Sequence, residues 1–527
     1  MASVWWQHGV VYQIYPRSFQ DTDGDGVGDL KGIHQRLDYL SWLGIDAIWI
    51  SPIFPSPMAD FGYDVSDYCG IDPLFGSLAD FDALVAAAHA RNIKVILDFV
   101  PNHTSDHHPW FIKSRASRDN PKRDWYIWRD GKAGGAPPNN WVSQFGGPAW
   151  TPDAATGQFY LHSFLAQQPD LNWRNPDVRT AMYDALRFWL DRGVDGFRVD
   201  VLWLLIKDAA LRDNPPNPAY VPAQAGINRF LSLYNADQPE TLDVVAEMRA
   251  VLDRYSDRVL IGEIYLPLER LVAYYGKDLR GAQLPFNFQL INAAWTAPVV
   301  AKLVAEYEAA LPPGGWPNWV LGNHDQPRIA ARVGAAQARI AAMLLLTLRG
   351  TPTMYYADEL GLGRVVIPPA AVQDPWEKNE PGLALGRDPS RTPMQWDAGV
   401  NAGFSSGPPW LPLDTNYRSD NVEALRGDPA SLLTLYRHLL ELRRQHTALN
   451  SGSFRLVGVE GNVLMYDRVA ADERIVVVLN FGDSAQGVSI AEKFSGAAVL
   501  ASTHTPRHIE LGALTLQPNE GLVLLVS

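Results

Sequence analysis

The sequence predicts a (β/α)8 TIM barrel with a small inserted domain after strand 3 and a C-terminal antiparallel β-sandwich-like domain. Three features carry this reading. Eight short apolar runs alternate with amphipathic stretches, one connection is far longer than the others, and short alternating segments take over after Leu449. The apolar runs are residues 10–19, 47–51, 94–100, 196–201, 259–264, 284–288, 319–323 and 351–356. Between them, stretches such as 78–91 and 176–192 space their apolar residues at helical period. Strands that alternate with helices in this way close into a barrel whose chemistry sits at the C-terminal ends of the strands.

The long connection runs from Asn102 to about Pro169 and is rich in Pro, Gly, Asn and Trp. A structureless loop of that length is uncommon in a compact domain, so a folded insert is expected. The last segments, 453–457, 463–468, 474–479, 497–501 and 521–526, alternate apolar and polar residues and predict an antiparallel sheet. The expected division is therefore barrel 1–101 and 170–449, insert 102–169, and C-terminal domain 450–527. With 527 residues the chain exceeds what one core organises.

Composition narrows the function. A net charge of −13 argues against nucleic-acid partners, which need a basic footprint. No apolar run reaches the roughly 18 residues of a membrane span. The segment from Met1 to His8 lacks the basic-then-apolar pattern of a secretory signal, and Cys69 is the sole cysteine; both predict a cytoplasmic protein, and the sequence leaves monomer and homo-oligomer both open. The 18 Trp and 20 Tyr residues mostly fill cores, although such rings also suit a pocket for sugars.

Polar residues cluster where the barrel mouth is expected. Asp98, Asn102 and His103 follow the third strand; Arg198 and Asp200 end the fourth; Glu263 ends the fifth; His324 and Asp325 end the seventh. One acid at a strand end is ordinary. Several like charges converging on one pocket are unfavourable unless function uses the pKa separation that they cause. Arg198 lies two residues before Asp200 and therefore on the same strand face. A second acidic motif places Asp21, Asp23, Asp25 and Asp29 among glycines, a spacing that converges oxygen ligands on a hard cation, with the Val27 carbonyl as a further candidate.

Taken together, Asp98 to His103, Gly196 to Asp200, Gly262-Glu263 and Asn323 to Asp325 resemble the four signature regions of the α-amylase family of glycoside hydrolases. Residues 13–28, 62–68 and 391–396 resemble its oligo-1,6-glucosidase and α-glucosidase branch. The resemblance implies a retaining α-glucosidase acting on small oligosaccharides: Asp200 the nucleophile, Glu263 the acid/base, and Asp325 the residue that supports the sugar. It further implies that His103 and His324 donate to the glucose, that Asp64 grips its far hydroxyls and that Tyr63 stacks on its face. Arg198 would keep the nucleophile ionised, and either Arg387 or Arg391 would reach the pocket. The loop 21–29 would hold structural Ca2+, with Mg2+ the alternative. Val201, directly after the nucleophile, marks a preference for α-1,6 linkages. A transglucosidase such as a sucrose isomerase or trehalose synthase would use the same triad, whereas a non-catalytic binding subunit would have lost one of the acids.

Overall fold

Period-two alternation explains how the barrel assembles. The computed structural model describes residues 4–489, 497–504 and 514–526, so the first three residues of the N-terminal segment lie outside it. The chain opens with β1 (Val11–Ile14), β2 (Ala47–Ile50) and β3 (Lys94–Phe99). It then makes a three-stranded antiparallel sheet from β4 (Trp128–Arg129), β5 (Trp150–Asp153) and β6 (Gln158–Leu161), with β6 central. It returns as β7 (Gly196–Val199), β8 (Val259–Gly262), β9 (Leu284–Pro285), β10 (Asn318–Val320) and β11 (Thr351–Tyr355). The barrel strands pair in parallel in the order β10-β11-β1-β2-β3-β7-β8-β9, and a parallel bridge from Asn287 to Trp319 spans the remaining gap.

Successive residues of each strand serve opposite faces. Val11, Ala47, Trp49, Ile96, Val259 and Ile261 pack together as the barrel interior, whereas Tyr12, Ile48, Val95, Leu97, Phe197 and Leu260 join the core beneath the helices. The interior at β7 is so tight that a Cβ on Gly196 would sit 2.4 Å from the Val259 carbonyl oxygen. The same alternation carries Asp98, Arg198, Asp200 and Glu263 inward, two residues beyond Ile96, Gly196, Arg198 and Ile261 respectively. The first strand is shorter than its apolar run predicts. Pro16 has no N–H for the ladder, and it opens a 3-10 turn, Pro16–Ser18.

The two clearest helical stretches form as helices Leu78–Ala90 and Pro176–Asp191. Ser77 and Asp80 make a capping box at the first, and Asn175 caps the second ahead of Pro176. In the second, Val178, Met182, Ala185, Leu186 and Trp189 form the buried stripe. Among the described residues, no helix is long and apolar enough to cross a membrane.

The C-terminal region contains β12 (Ser453–Glu460), β13 (Val463–Ala470), β14 (Glu473–Asn480), a short β15 (Gln486–Gly487), β16 (Ala498–Ser502), a short β17 (Thr515–Leu516) and β18 (Gly521–Val526). Five of these strands are antiparallel in the order β12-β13-β14-β18-β16, and β15 pairs with β17. One face of the sheet (Val463, Met465, Val476, Val478) packs on Val488, Leu514 and Leu516 beside the small pair. The opposite face, including Leu464, Tyr466 and Val477, continues the barrel core.

A buried arginine ties together barrel segments beside that junction. Arg443 donates to the carbonyls of Leu346, Leu348 and Leu449 at 3.1–3.3 Å and of Gly350 at 2.5 Å. Leu346 belongs to the last turn of helix Ala335–Thr347, where carbonyls lack intrahelical donors. Arg443→Met is therefore expected to strand several buried acceptors and to cost about 3 kcal/mol or more. A thermal-unfolding midpoint within a degree of wild type would show that these bonds contribute nothing net.

Candidate active site

Arg198 organises the acids at the mouth of the barrel. Its Nη1 donates to Asp98 Oδ1 at 2.9 Å and to Asp200 Oδ1 at 2.7 Å, and its Nη2 lies 2.8 Å from Glu263 Oε2. Glu263 Oε2 also accepts the Val201 N–H at 2.8 Å. That bond depends on Val201 adopting φ 39°, ψ 45°, a left-handed conformation in which a β-branched residue costs roughly 1–3 kcal/mol. Strain at this residue thus aims its amide at the neighbouring acid.

Burial raises both Asp200 and Glu263, Glu263 to about 6, and Arg198 opposes the rise in each. Glu263 adds repulsion at Asp200, and Asp325 does so at Glu263. The two carboxyls titrate as a pair. Burial also pushes Asp325 upward, but His324, Arg387, Arg391 and Arg198 outweigh it and hold that carboxylate well below its ordinary range. Asp98 accepts from Arg198, from the Tyr63 hydroxyl at 3.0 Å and from Trp49 Nε1 at 3.1 Å, and so organises the strand end.

The histidines are neutral. Burial lowers His103 to about 4 and His324 well below its usual value. The His324 ring stacks on Tyr63 at 5.1 Å and on Tyr15 at 5.7 Å. Gln13 Nε2 lies 2.9 Å from His324 Nδ1 and donates to it, which leaves the proton on Nε2, 3.2 Å from Asp325 Oδ2.

A cavity of about 710 Å³ opens above these groups, lined by Asp200, Glu263 and Asp325 together with Tyr63, His103 and His324. Three of the candidate site residues, Asp64, Arg391 and Arg198, do not line the cavity. Asp64 is buried away from the cavity, where its oxygens accept the Ala59 and Asp60 N–H groups at 2.9 and 3.0 Å and fold the turn. Asp60, the first acid of the same Asp-Phe-Gly-Tyr-Asp segment, takes the place on the cavity wall. Arg391 is likewise fully buried behind the wall; its Nη2 donates to Asp325 Oδ1 at 3.0 Å and its Nε to the His324 carbonyl at 2.9 Å. Arg387 reaches the cavity instead, with Nη2 2.7 Å from Asp60 Oδ1 and Nη1 3.1 Å from Asp325 Oδ1, while Asp374 anchors it from behind. Arg198 sits beneath the carboxylates and does not line the cavity.

The walls come from three long connections. Phe145, Phe164 and Gln168 belong to the segment between β3 and β7. Trp203 and Gln224 come from the stretch after β7, and Trp376 and Leu385 from the stretch after β11. Neither of the last two has an apolar period that marks it in the sequence.

The acidic loop near the N-terminus forms a separate cluster. Carboxylate oxygens of Asp21, Asp23 and Asp29 lie within 4.8 Å of one another. Asp25 falls outside this group; its Oδ1 instead accepts the Val27 N–H at 2.7 Å. Burial raises Asp21, but hydrogen bonds from Ser405 and from the Gly24, Gly26 and Asp23 amides outweigh it and favour the ionised form. A donor set made only of carboxylate oxygens fits a hard divalent cation.

The alpha amylase catalytic domain family matches residues 13–452. A probable alpha-glucosidase of Rhizobium meliloti (strain 1021) is 43% identical over 497 residues, covering 91% of this chain and 90% of the relative. An oligo-1,6-glucosidase of Parageobacillus thermoglucosidasius is 40% identical over 522 residues, covering 92% and 91%. Among solved structures, an alpha-glucosyl transfer enzyme, XgtA, superposes with TM-score 0.94 at 40% identity over 100% of both chains. The trehalulose synthase MutB from Pseudomonas mesoacidophila MX-45 does so with TM-score 0.91 at 37% identity, again over 100% of both. With three acids gathered at the mouth of an eight-stranded barrel, and with matches across nearly its whole length, the chain belongs to the alpha-amylase family and is a glycoside hydrolase.

Proposed function

We propose that the protein is an exo-acting, retaining α-glucosidase that removes terminal non-reducing glucose from short oligosaccharides. The observation that carries this reading is the Asp60–Arg387–Asp325 array, which lines the cavity beside Asp200 and Glu263. Its oxygens and guanidinium suit the hydroxyls of a chain-end sugar, and a further sugar linked through one of those hydroxyls would have to displace the ion pairs that close this end of the cavity.

Asp200 attacks the anomeric carbon while Glu263 protonates the departing oxygen; Glu263 then takes a proton from water, which releases α-glucose. We place the resting proton on Glu263 because the nucleophile must be ionised to attack and the acid must hold a proton to give; Arg198 contacts both carboxyls and does not choose between them. Asp325, kept ionised by its cationic neighbours, stabilises positive charge at the ring. His324 offers its Nε2–H to the sugar, His103 lines the wall with its Nε2 2.9 Å from the Tyr63 carbonyl, and Tyr63 supports the sugar's face. Transfer of glucose to a sugar acceptor is a second reading, supported by similarity to an alpha-glucosyl transfer enzyme and to a trehalulose synthase.

Incubation with maltose, isomaltose, sucrose, trehalose, p-nitrophenyl α-glucoside and soluble starch, with product identification, tests the proposal. The expected result is α-glucose from the small substrates, isomaltose favoured over maltose in keeping with Val201, and little attack on starch. Rapid loss of starch viscosity with mixed oligosaccharide products would overturn the exo reading. Conversion of sucrose or maltose to an isomeric disaccharide would favour transfer.

The loop of Asp21, Asp23 and Asp29 is proposed to hold a structural Ca2+, outside the catalytic steps. A cation bound only to the native state stabilises it by mass action. Chelation is expected to lower the melting temperature and leave the KM for p-nitrophenyl α-glucoside unchanged. An unchanged melting temperature, together with no metal by elemental analysis, would remove calcium from the proposal.

A further inference from the structure

The geometry points to Glu380 as the latch that sets how long a substrate the cavity admits. Glu380 lies just beyond the short helix Pro375–Asn379 and does not line the cavity. Its Oε1 accepts the Gly226 N–H at 2.9 Å, and its Oε2 accepts the Trp376 indole N–H at 3.1 Å. One carboxylate therefore ties the stretch after β7 to the stretch after β11, and hydrogen bonds to an ionised acceptor are the stronger kind.

Two glycines make room for it. A Cβ on Gly226 would lie 2.8 Å from Glu380 Oε1, and a Cβ on Gly146 would lie 2.7 Å from its Cγ. Gly146 belongs to the stretch between β4 and β5, so all three walls of the cavity meet at this side chain. Each meeting point has a cavity-lining residue at or next to it: Phe145, Ala225 and Trp376. The Trp376 ring packs on Phe145 at 5.7 Å, and the Arg387 guanidinium lies 4.8 Å from the centre of the Phe145 ring. Glu380 thus closes a hoop that reaches back to the residue beside Asp60 and Asp325. A leaving chain longer than the cavity would have to cross the walls that this hoop joins.

The test uses Glu380→Ala, which removes both bonds, and Gly226→Ala, which keeps the carboxylate but places a methyl group against it. Gly226 does not require the left-handed region, so its backbone accepts alanine. In both variants the ratio of kcat/KM for isomaltopentaose to that for isomaltose is expected to rise about fivefold or more, through a lower KM for the longer substrate. A ratio within twofold of wild type in both folded variants overturns the assignment. That ratio rests on the α-glucosidase reading; amide hydrogen exchange does not. Residues 223–229 are expected to exchange about tenfold faster in Glu380→Ala, and unchanged protection overturns the latch. A wild-type protein inactive on every α-glucoside would refute the proposed function alone, leaving the exchange result to decide the latch.

Discussion

Asp200→Asn is expected to lower kcat on p-nitrophenyl α-glucoside by about 10⁴-fold or more while leaving the fold intact. The amide matches the carboxylate in shape but cannot form the glucosyl ester. Stability should change little, because Arg198 keeps Asp98 and Glu263 as partners and one buried charge is removed. A loss of activity alone does not identify a nucleophile, so a second variant sharpens the test. In Asp200→Gly, azide can occupy the vacated space and attack from the same side, giving β-glucosyl azide. Near wild-type turnover in Asp200→Asn, or an α-configured azide product, would exclude Asp200 as the attacking group.

Glu263→Gln should depend strongly on the leaving group. Isomaltose needs a proton on its departing oxygen, so its hydrolysis is expected to fall about 10³-fold. Glucosyl fluoride needs no such help and should lose far less. The sign of the pH dependence follows from the same role. The acid works only when protonated, and burial raises it to about 6, so wild-type kcat/KM should fall as pH rises beyond that value. In Glu263→Gln that alkaline limb should disappear. An equal loss for isomaltose and the fluoride, or an unchanged limb in the variant, would assign the proton to another group.

Much of this site was legible because strand periodicity is a local property. Residues two apart share a face, so Arg198 and Asp200 had to point into the barrel together, and Asp98 and Glu263 follow the same rule on β3 and β8. Helical spacing is equally local and marked 78–91 and 176–192, which the structure shows capped by Ser77 with Asp80 and by Asn175 ahead of Pro176. Five strands of the C-terminal region also followed from alternation, whereas the two-residue β15 and β17 are too short to show it.

Tertiary structure decided between residues of like chemistry lying close in sequence. Asp60 and Asp64 are both acids beside Tyr63, but the turn consumes the Asp64 oxygens on its own amides and leaves Asp60 facing Arg387. Arg387 and Arg391 both bond Asp325 Oδ1, yet only Arg387 reaches the cavity. The cavity walls after β7 and β11, and their junction at Glu380, were invisible for a related reason. Irregular connections have no period to read, and their positions follow from contacts between segments more than 150 residues apart, such as Glu380 with Gly226. By itself, the sequence determined the barrel, its strand faces and the acids that those faces present. The shape of the pocket around those acids was set only when distant loops closed over them.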